Sequence, residues 1–233
     1  MDSPYILEET EDFAVVFKPP KMHCTNAGIK SQKDGTLFEW YSEKSQCFDI
    51  MHRLDFETHG LVLFAKNKKS YDAFKTLQDN GGFVKEYSAI CVKADAAAQL
   101  TGFPEYSSGV PEPPFAIESY FRPFGPGRKL VRPVIEDGKK HKEIAKDKGG
   151  FYKTEITNIN GNIFTAKIKR GFRHQIRCHL CWIGFPIQND PLYLLNDGEP
   201  QTGNLALRAC SLVFDDPASG KRCEYRIAAF ENA

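Results

Sequence analysis

The chain has 233 residues, 41% of them hydrophobic and 26% charged, with a formal net charge of +1. That content excludes a disordered polar chain and leaves room for one large domain or two small ones. No apolar run approaches the roughly 20 residues that span a bilayer, and the acidic start (Glu8, Glu9, Glu11, Asp12) has neither region of a signal peptide.

Phe13 to Phe17 predicts a short strand, stopped by Lys18-Pro19-Pro20 because proline lacks the N–H that a ladder needs. Thr36 to Lys44 predicts a short helix with Leu37, Trp40 and Tyr41 on one face. Leu61 to Ala65 is a continuous apolar run, the pattern of a strand covered on both faces. Asn67 is placed to cap a following helix in which Tyr71, Phe74 and Leu77 recur at helical spacing. Gly81-Gly82 ends that helix, and Phe83 to Val92 reads as a strand. Residues 101–114, rich in Pro, Gly and Ser, read as a surface loop.

The second half is richer in strands: Phe115 to Phe121, Leu130 to Ile135, Phe151 to Ile159 and Asn162 to Arg170, with Asn160-Gly161 as a hairpin signal. Phe172 to Ile183 has helical periodicity, with Ile176, Leu180 and Ile183 inward and Gly184 as the stop. Leu205 to Phe214 and Arg222 to Ala229 form a closing pair around the turn Asp215 to Gly220. The expected fold class is α+β, a single domain with a mixed, mainly antiparallel sheet, because hairpin-length connections cannot join parallel strands.

Two polar clusters stand out. His52-Arg53-Leu54-Asp55-Phe56-Glu57-Thr58-His59-Gly60 precedes the buried strand, where a rigid scaffold can hold a catalytic loop. By composition alone it reads first as a turn closed by an Arg53–Asp55 ion pair. In Gly171-Phe172-Arg173-His174-Gln175-Ile176-Arg177-Cys178-His179-Leu180, helical spacing puts Arg173 and Arg177 on one face, apart from Ile176 and Leu180. Such a helix could hold a carboxylate or phosphate, or simply turn a basic face to solvent. Basic runs at Lys66, Lys68 and Lys69 and at Lys139, Lys140 and Lys142 read as solvated faces. Lys167, Lys169 and Arg170 lead into the second cluster.

Together these segments resemble the RluA-type family of pseudouridine synthases. The resemblance opens at Glu11 to Pro19 with a strand and a Lys-Pro turn. It continues in His52 to Lys66, which looks like the family's catalytic motif, and in Lys85-Glu86-Tyr87-Ser88-Ala89, which looks like its tyrosine motif. Gly171 to Tyr193 is similar to its arginine motif, and Leu205 to Phe230 to its closing strands. Lys21, His59 and Asn189 depart from it, standing where glycine, serine and glycine are usual.

The resemblance implies a pseudouridine synthase fold with a central RNA-binding cleft and no S4 domain ahead of it, since the match begins by Glu11. It implies isomerisation of a uridine in ribosomal or transfer RNA, with no cofactor and no metal. Asp55 matches the essential aspartate, as nucleophile or base, Arg177 the arginine that orients it, and Tyr87 the active-site tyrosine. His52, Arg53, Arg173, His174 and Gln175 are expected to contact substrate, with His52 supporting the loop. A monomer away from membranes is expected, and the seven scattered cysteines read as reduced cytoplasmic thiols.

Rival readings are weaker. Asp55 and Glu57 as a glycosidase pair point opposite ways on an extended loop and lack an aromatic sugar platform. A kinase loop would lack Leu54, and no glycine-rich loop accompanies it. His174, Cys178 and Cys181 share a helical face, but a zinc site would need a further ligand. A non-catalytic RNA-binding relative is the serious alternative, and joint retention of Asp55, Tyr87 and Arg177 argues against it.

Overall fold

The computed structural model describes residues 3–26, 35–94, 102–106, 109–135, 151–194 and 202–232, so the Lys139, Lys140 and Lys142 run and part of the 101–114 loop lie outside the described residues. The chain forms two compact units, Met1–Tyr87 with Leu207–Ala229 and Ser88–Ala206 with Phe230–Ala233.

The first unit is a sheet with two helices. Its strands are β1 (Tyr5–Glu9), β2 (Phe13–Lys18), β3 (Asp49–Ile50), β4 (His59–Ala65), β10 (Leu207–Asp215) and β11 (Arg222–Arg226). They pair in the order β1-β2-β4-β10-β11, with β3 also on β4. All these pairs are antiparallel except β4 with β10, which is parallel and sets Gly60 beside Ala209. Only a long crossover can join such a pair, and the stretch Ser88–Ala206 of the second unit lies between these strands in sequence.

Gly60 belongs to the motif for a physical reason. Its φ is +129°, and a Cβ there would lie 2.3 Å from the Ala209 carbonyl oxygen. No side chain fits that approach.

Strands β2 and β4 are buried along their whole length, as the apolar run Leu61 to Ala65 predicts for β4. Phe13, Phe74 and Phe214 meet edge to face, with centroids 5.4–5.7 Å apart, at the centre of the core. Helix α1 (Leu37–Ser42) starts in a capping box between Thr36 and Glu39, and α2 (Lys68–Asp79) starts where Asn67 accepts from the Ser70 N–H. Strand β1 was not legible in advance because its three apolar residues are consecutive rather than alternating and run straight into Glu8 and Glu9, and most of the strand is exposed. It is an edge strand, where charge such as that of Glu8 and Glu9 guards against further pairing.

Strand β5 (Val84–Ile90) carries the chain from the first unit into the second. There β6 (Phe115–Phe124), β7 (Leu130–Val134), β8 (Tyr152–Asn160) and β9 (Ile163–Ile168) pair in the antiparallel order β7-β6-β8-β9. The β8–β9 hairpin turns at Gly161, whose φ of +60° is the left-handed conformation the Asn-Gly signal anticipates.

Helix α3 (Gln175–Trp182) corrects one expectation. It begins later than Phe172, after His174 in a left-handed conformation, and every one of its residues is buried. Arg173 is exposed and lies ahead of the helix, so Arg173 and Arg177 do not share a solvent face. Periodicity assigns arginine to solvent, whereas Arg177 has a buried carboxylate partner.

Within α3, His179 is fully enclosed between Ser119 Oγ (2.9 Å from Nε2) and Thr154 Oγ1 (2.8 Å from Nδ1). Burial pushes its imidazole down to about 3. The unfolded chain takes up this proton near 6.5, well before the native state does, so the stability His179 confers is complete above pH 6.5 and is lost as pH falls. Urea midpoints at pH 7, 6 and 5 should therefore decline, with a slope of at most about 1.4 kcal/mol per pH unit from this group. A profile that is flat over this range would contradict a buried neutral His179.

Candidate active site

The loop from Met51 to Thr58 joins β3 to β4 and carries Asp55. Several buried groups fix it. The Lys18 ammonium, at the buried end of β2, donates to the carbonyls of Pro19 (2.9 Å), Met22 (2.8 Å) and Phe56 (3.2 Å). Cys24 Sγ accepts from the Leu54 N–H at 3.2 Å and reaches the Leu54 carbonyl at 3.4 Å. His52 Nε2 accepts from the Leu63 N–H at 3.3 Å, and the Thr58 N–H closes a turn onto the Asp55 carbonyl at 3.1 Å. The carboxylate-bearing segment is thus tied to β2 on one side and to β4 on the other.

Electrostatics follow from the enclosure. Burial pulls Lys18 down to about 8, while Cys24, Asp55 and Glu57 oppose the fall. At neutral pH it is a cation facing the Asp55 loop. Burial, with Lys85 as a second cause, drives His52 down to about 3, so its ring is neutral and serves as an acceptor. The Tyr87 hydroxyl is pushed far up, first by burial and then by the negative charge of Asp55. Asp55 and Tyr87 therefore feel one another within the first unit, and the phenol holds its proton.

Arg53 is exposed and makes no hydrogen bond or ion pair among the described residues, which removes the simple Arg53–Asp55 turn.

The second unit holds the other expected residues. Arg177 forks onto Asp190, Nε to Oδ2 and Nη2 to Oδ1, both at 2.7 Å with both side chains buried. Asp190 Oδ1 also accepts from the N–H groups of Leu192 (2.9 Å) and Tyr193 (3.0 Å), and the guanidinium lies over the Tyr193 ring at 5.3 Å. Gln175 accepts from the Phe172 N–H and donates to Lys153 O and Thr154 Oγ1, which fastens the start of α3 to β8. Arg173 donates to the carbonyls of Arg128 and Leu130, and His174 Nδ1 meets the Tyr193 hydroxyl at 3.2 Å.

The thiols of Cys178 and Cys181 point at the Val131 and Tyr193 carbonyls, and burial pushes Cys181 up to about 12. Protonated thiols engaged in this way are poor metal ligands. No metal-holding group of three or more such side chains occurs among the described residues.

Sequence reasoning gave no role to Lys18, Lys85 or Asp190. A lysine ending an apolar strand before two prolines, and an aspartate ahead of proline thirteen residues past Arg177, were the available signals.

Comparison with known proteins gives the family. A family model described as RNA pseudouridylate synthase matches residues 12–182. An uncharacterized RNA pseudouridine synthase of Helicobacter pylori is 25% identical over 237 residues, covering 95% of this chain and 65% of its own length. A Caenorhabditis elegans protein is 30% identical over 190 residues, covering 81% of this chain and 38% of that protein. The chain thus spans about two thirds or less of these relatives. The dual-specificity RNA pseudouridine synthase RluA of Vibrio parahaemolyticus is 26% identical over 217 residues, covering 92% of this chain and 78% of its own. In fold, human RNA Pseudouridylate Synthase Domain Containing 1 superposes with a TM-score of 0.67 at 19% identity, covering 97% of this chain and 83% of that one.

Proposed function

The chain belongs to the RNA pseudouridylate synthase family, and we propose on that premise that it isomerises uridine to pseudouridine in structured RNA, ribosomal or transfer. The observation that carries this reading is the Asp55 loop, held by Lys18, Cys24 and His52 beside a protonated Tyr87. Seven free thiols fit a reducing, cytoplasmic setting.

The reaction breaks the bond from N1 of uracil to C1′ of ribose, forms C1′–C5, moves the C5 proton away and leaves a proton on N1. It is redox-neutral. Asp55 supplies the attacking carboxylate or the base. Reaching a stacked uridine requires its extrusion, at a few kcal/mol. Tyr87 then has a stage-dependent role. The Asp55 charge helps to hold the phenol protonated, and that charge disappears if the carboxylate becomes an ester, which makes the phenol easier to ionise. Its proton can then pass to N1 of the uracil, and the phenolate so formed takes the C5 proton and is restored to the phenol.

The test is release of tritium from RNA labelled at carbon 5 of uridine, with pseudouridine appearing in the digest. RNA bound without release favours the non-catalytic alternative. Tyr87→Phe should keep RNA affinity and lose on the order of 10²-fold in single-turnover rate. An unchanged rate would remove the hydroxyl from the mechanism.

A further inference from the structure

The catalytic reading leaves one feature of the first unit unused. Phe56, directly after Asp55, keeps 37% of its surface exposed. Its ring centroid lies 4.5 Å from that of His23, with 36° between the planes. Burial and the Lys18 cation pull His23 below its usual range, so the pair is uncharged at neutral pH. Neither ring sits on a loose segment. The Phe56 carbonyl receives the Lys18 ammonium, and Cys24, next to His23, is bonded to Leu54 through its sulfur.

Two exposed cations neighbour the pair in sequence, Lys21 and Arg53. Lys21 has a φ of +59°, a conformation that disfavours side chains, at a position where the family usually has glycine. Lys21 stands two residues ahead of His23 and carries a positive charge.

A neutral aromatic pair of one exposed and one half-buried ring, with cations near it in sequence, matches the chemistry of unpaired RNA, whose bases stack on rings and whose phosphates seek cations. We propose that His23 and Phe56 form a stacking platform for a nucleobase next to the target uridine, with Lys21 and Arg53 holding the adjoining phosphates. The proposal rests on the reading of the chain as an RNA enzyme and adds to it a contact that selects unpaired RNA.

The test uses the full chain and a fluorescent dodecamer of uridylate, with affinity measured by anisotropy over a range of salt. Phe56→Leu should weaken binding about tenfold without changing the slope of log affinity against log salt. Phe56→Trp should bind at least as tightly as the parent, and its added indole should be quenched by the oligonucleotide. Arg53→Gln should lower the magnitude of the salt slope by about 0.7.

Phe48, an exposed aromatic packed on Tyr71 elsewhere in the unit, is the control, and Phe48→Leu should bind as the parent does. Parental affinity in Phe56→Leu, an equal loss in Phe48→Leu, or no quenching in Phe56→Trp would overturn the platform. Should Phe56→Leu fail to fold, the Phe56→Trp result decides alone. Tritium release by the parent, measured in parallel, separates the two levels. If it persists while the platform fails, only this inference falls; if it is absent on every RNA, the enzymatic reading falls.

Discussion

Asp55→Asn is expected to reduce tritium release by more than about 10⁴-fold, to background, while the protein folds and binds RNA as before. Asparagine keeps the shape of the side chain and removes its charge. Lys18, Cys24 and His52 hold the loop through bonds that do not use the carboxylate, and asparagine leaves these in place. Two neighbours should register the loss. Lys18 loses an anion that holds its proton, and Tyr87 loses one that opposes its ionisation, so both should titrate lower. Binding may be compared directly by anisotropy, and turnover in purified Asp55→Asn above about a hundredth of the parental rate would sink the assignment.

Arg177→Met should cost about 3–5 kcal/mol of stability, read from the urea midpoint. The fork to Asp190 is buried on both sides, and removing the guanidinium strips an enclosed carboxylate of this charged partner, while the Leu192 and Tyr193 N–H groups still meet it. Tyr193 would also lose the cation over its ring. Against a typical total of about 5–15 kcal/mol, that is a large share. Arg177→Lys should fall between, because an ammonium keeps the charge but not the planar fork. The double variant Arg177→Met, Asp190→Leu should recover part of the loss by removing the stranded charge as well. A midpoint for Arg177→Met within about 1 kcal/mol of the parent would show that the fork is not structural. The experiment also bears on catalysis, since the resemblance implies that Arg177 orients the aspartate, and its structural role must be separated from any effect on rate.

The motifs were legible because each is ordered along the chain. The apolar run ending at Ala65 announced β4, and Lys85 to Ala89 announced the strand bearing Tyr87. The roles inside the motifs were less legible. Lys18 was read as part of a turn and proved to be a buried ammonium serving three carbonyls. Gln175, expected to meet substrate, is engaged with Phe172, Lys153 and Thr154. Gly60 was a motif letter until Ala209 was seen against it.

What the sequence by itself determined is what depends on residues a few positions apart. Thr36 and Asn67 cap helices by bonding three residues ahead, Asn160-Gly161 turns a hairpin, and alternation or continuity of apolar residues fixes which strands are covered. Only the tertiary structure decided which charges go inside. Lys18, Lys85, Arg177 and Asp190 are buried, yet a charged side chain carries no local mark of whether its partner will be water or a group from a distant segment. Burying a charge is costly unless a partner is already in place, and that partner is supplied by folding rather than by sequence neighbours.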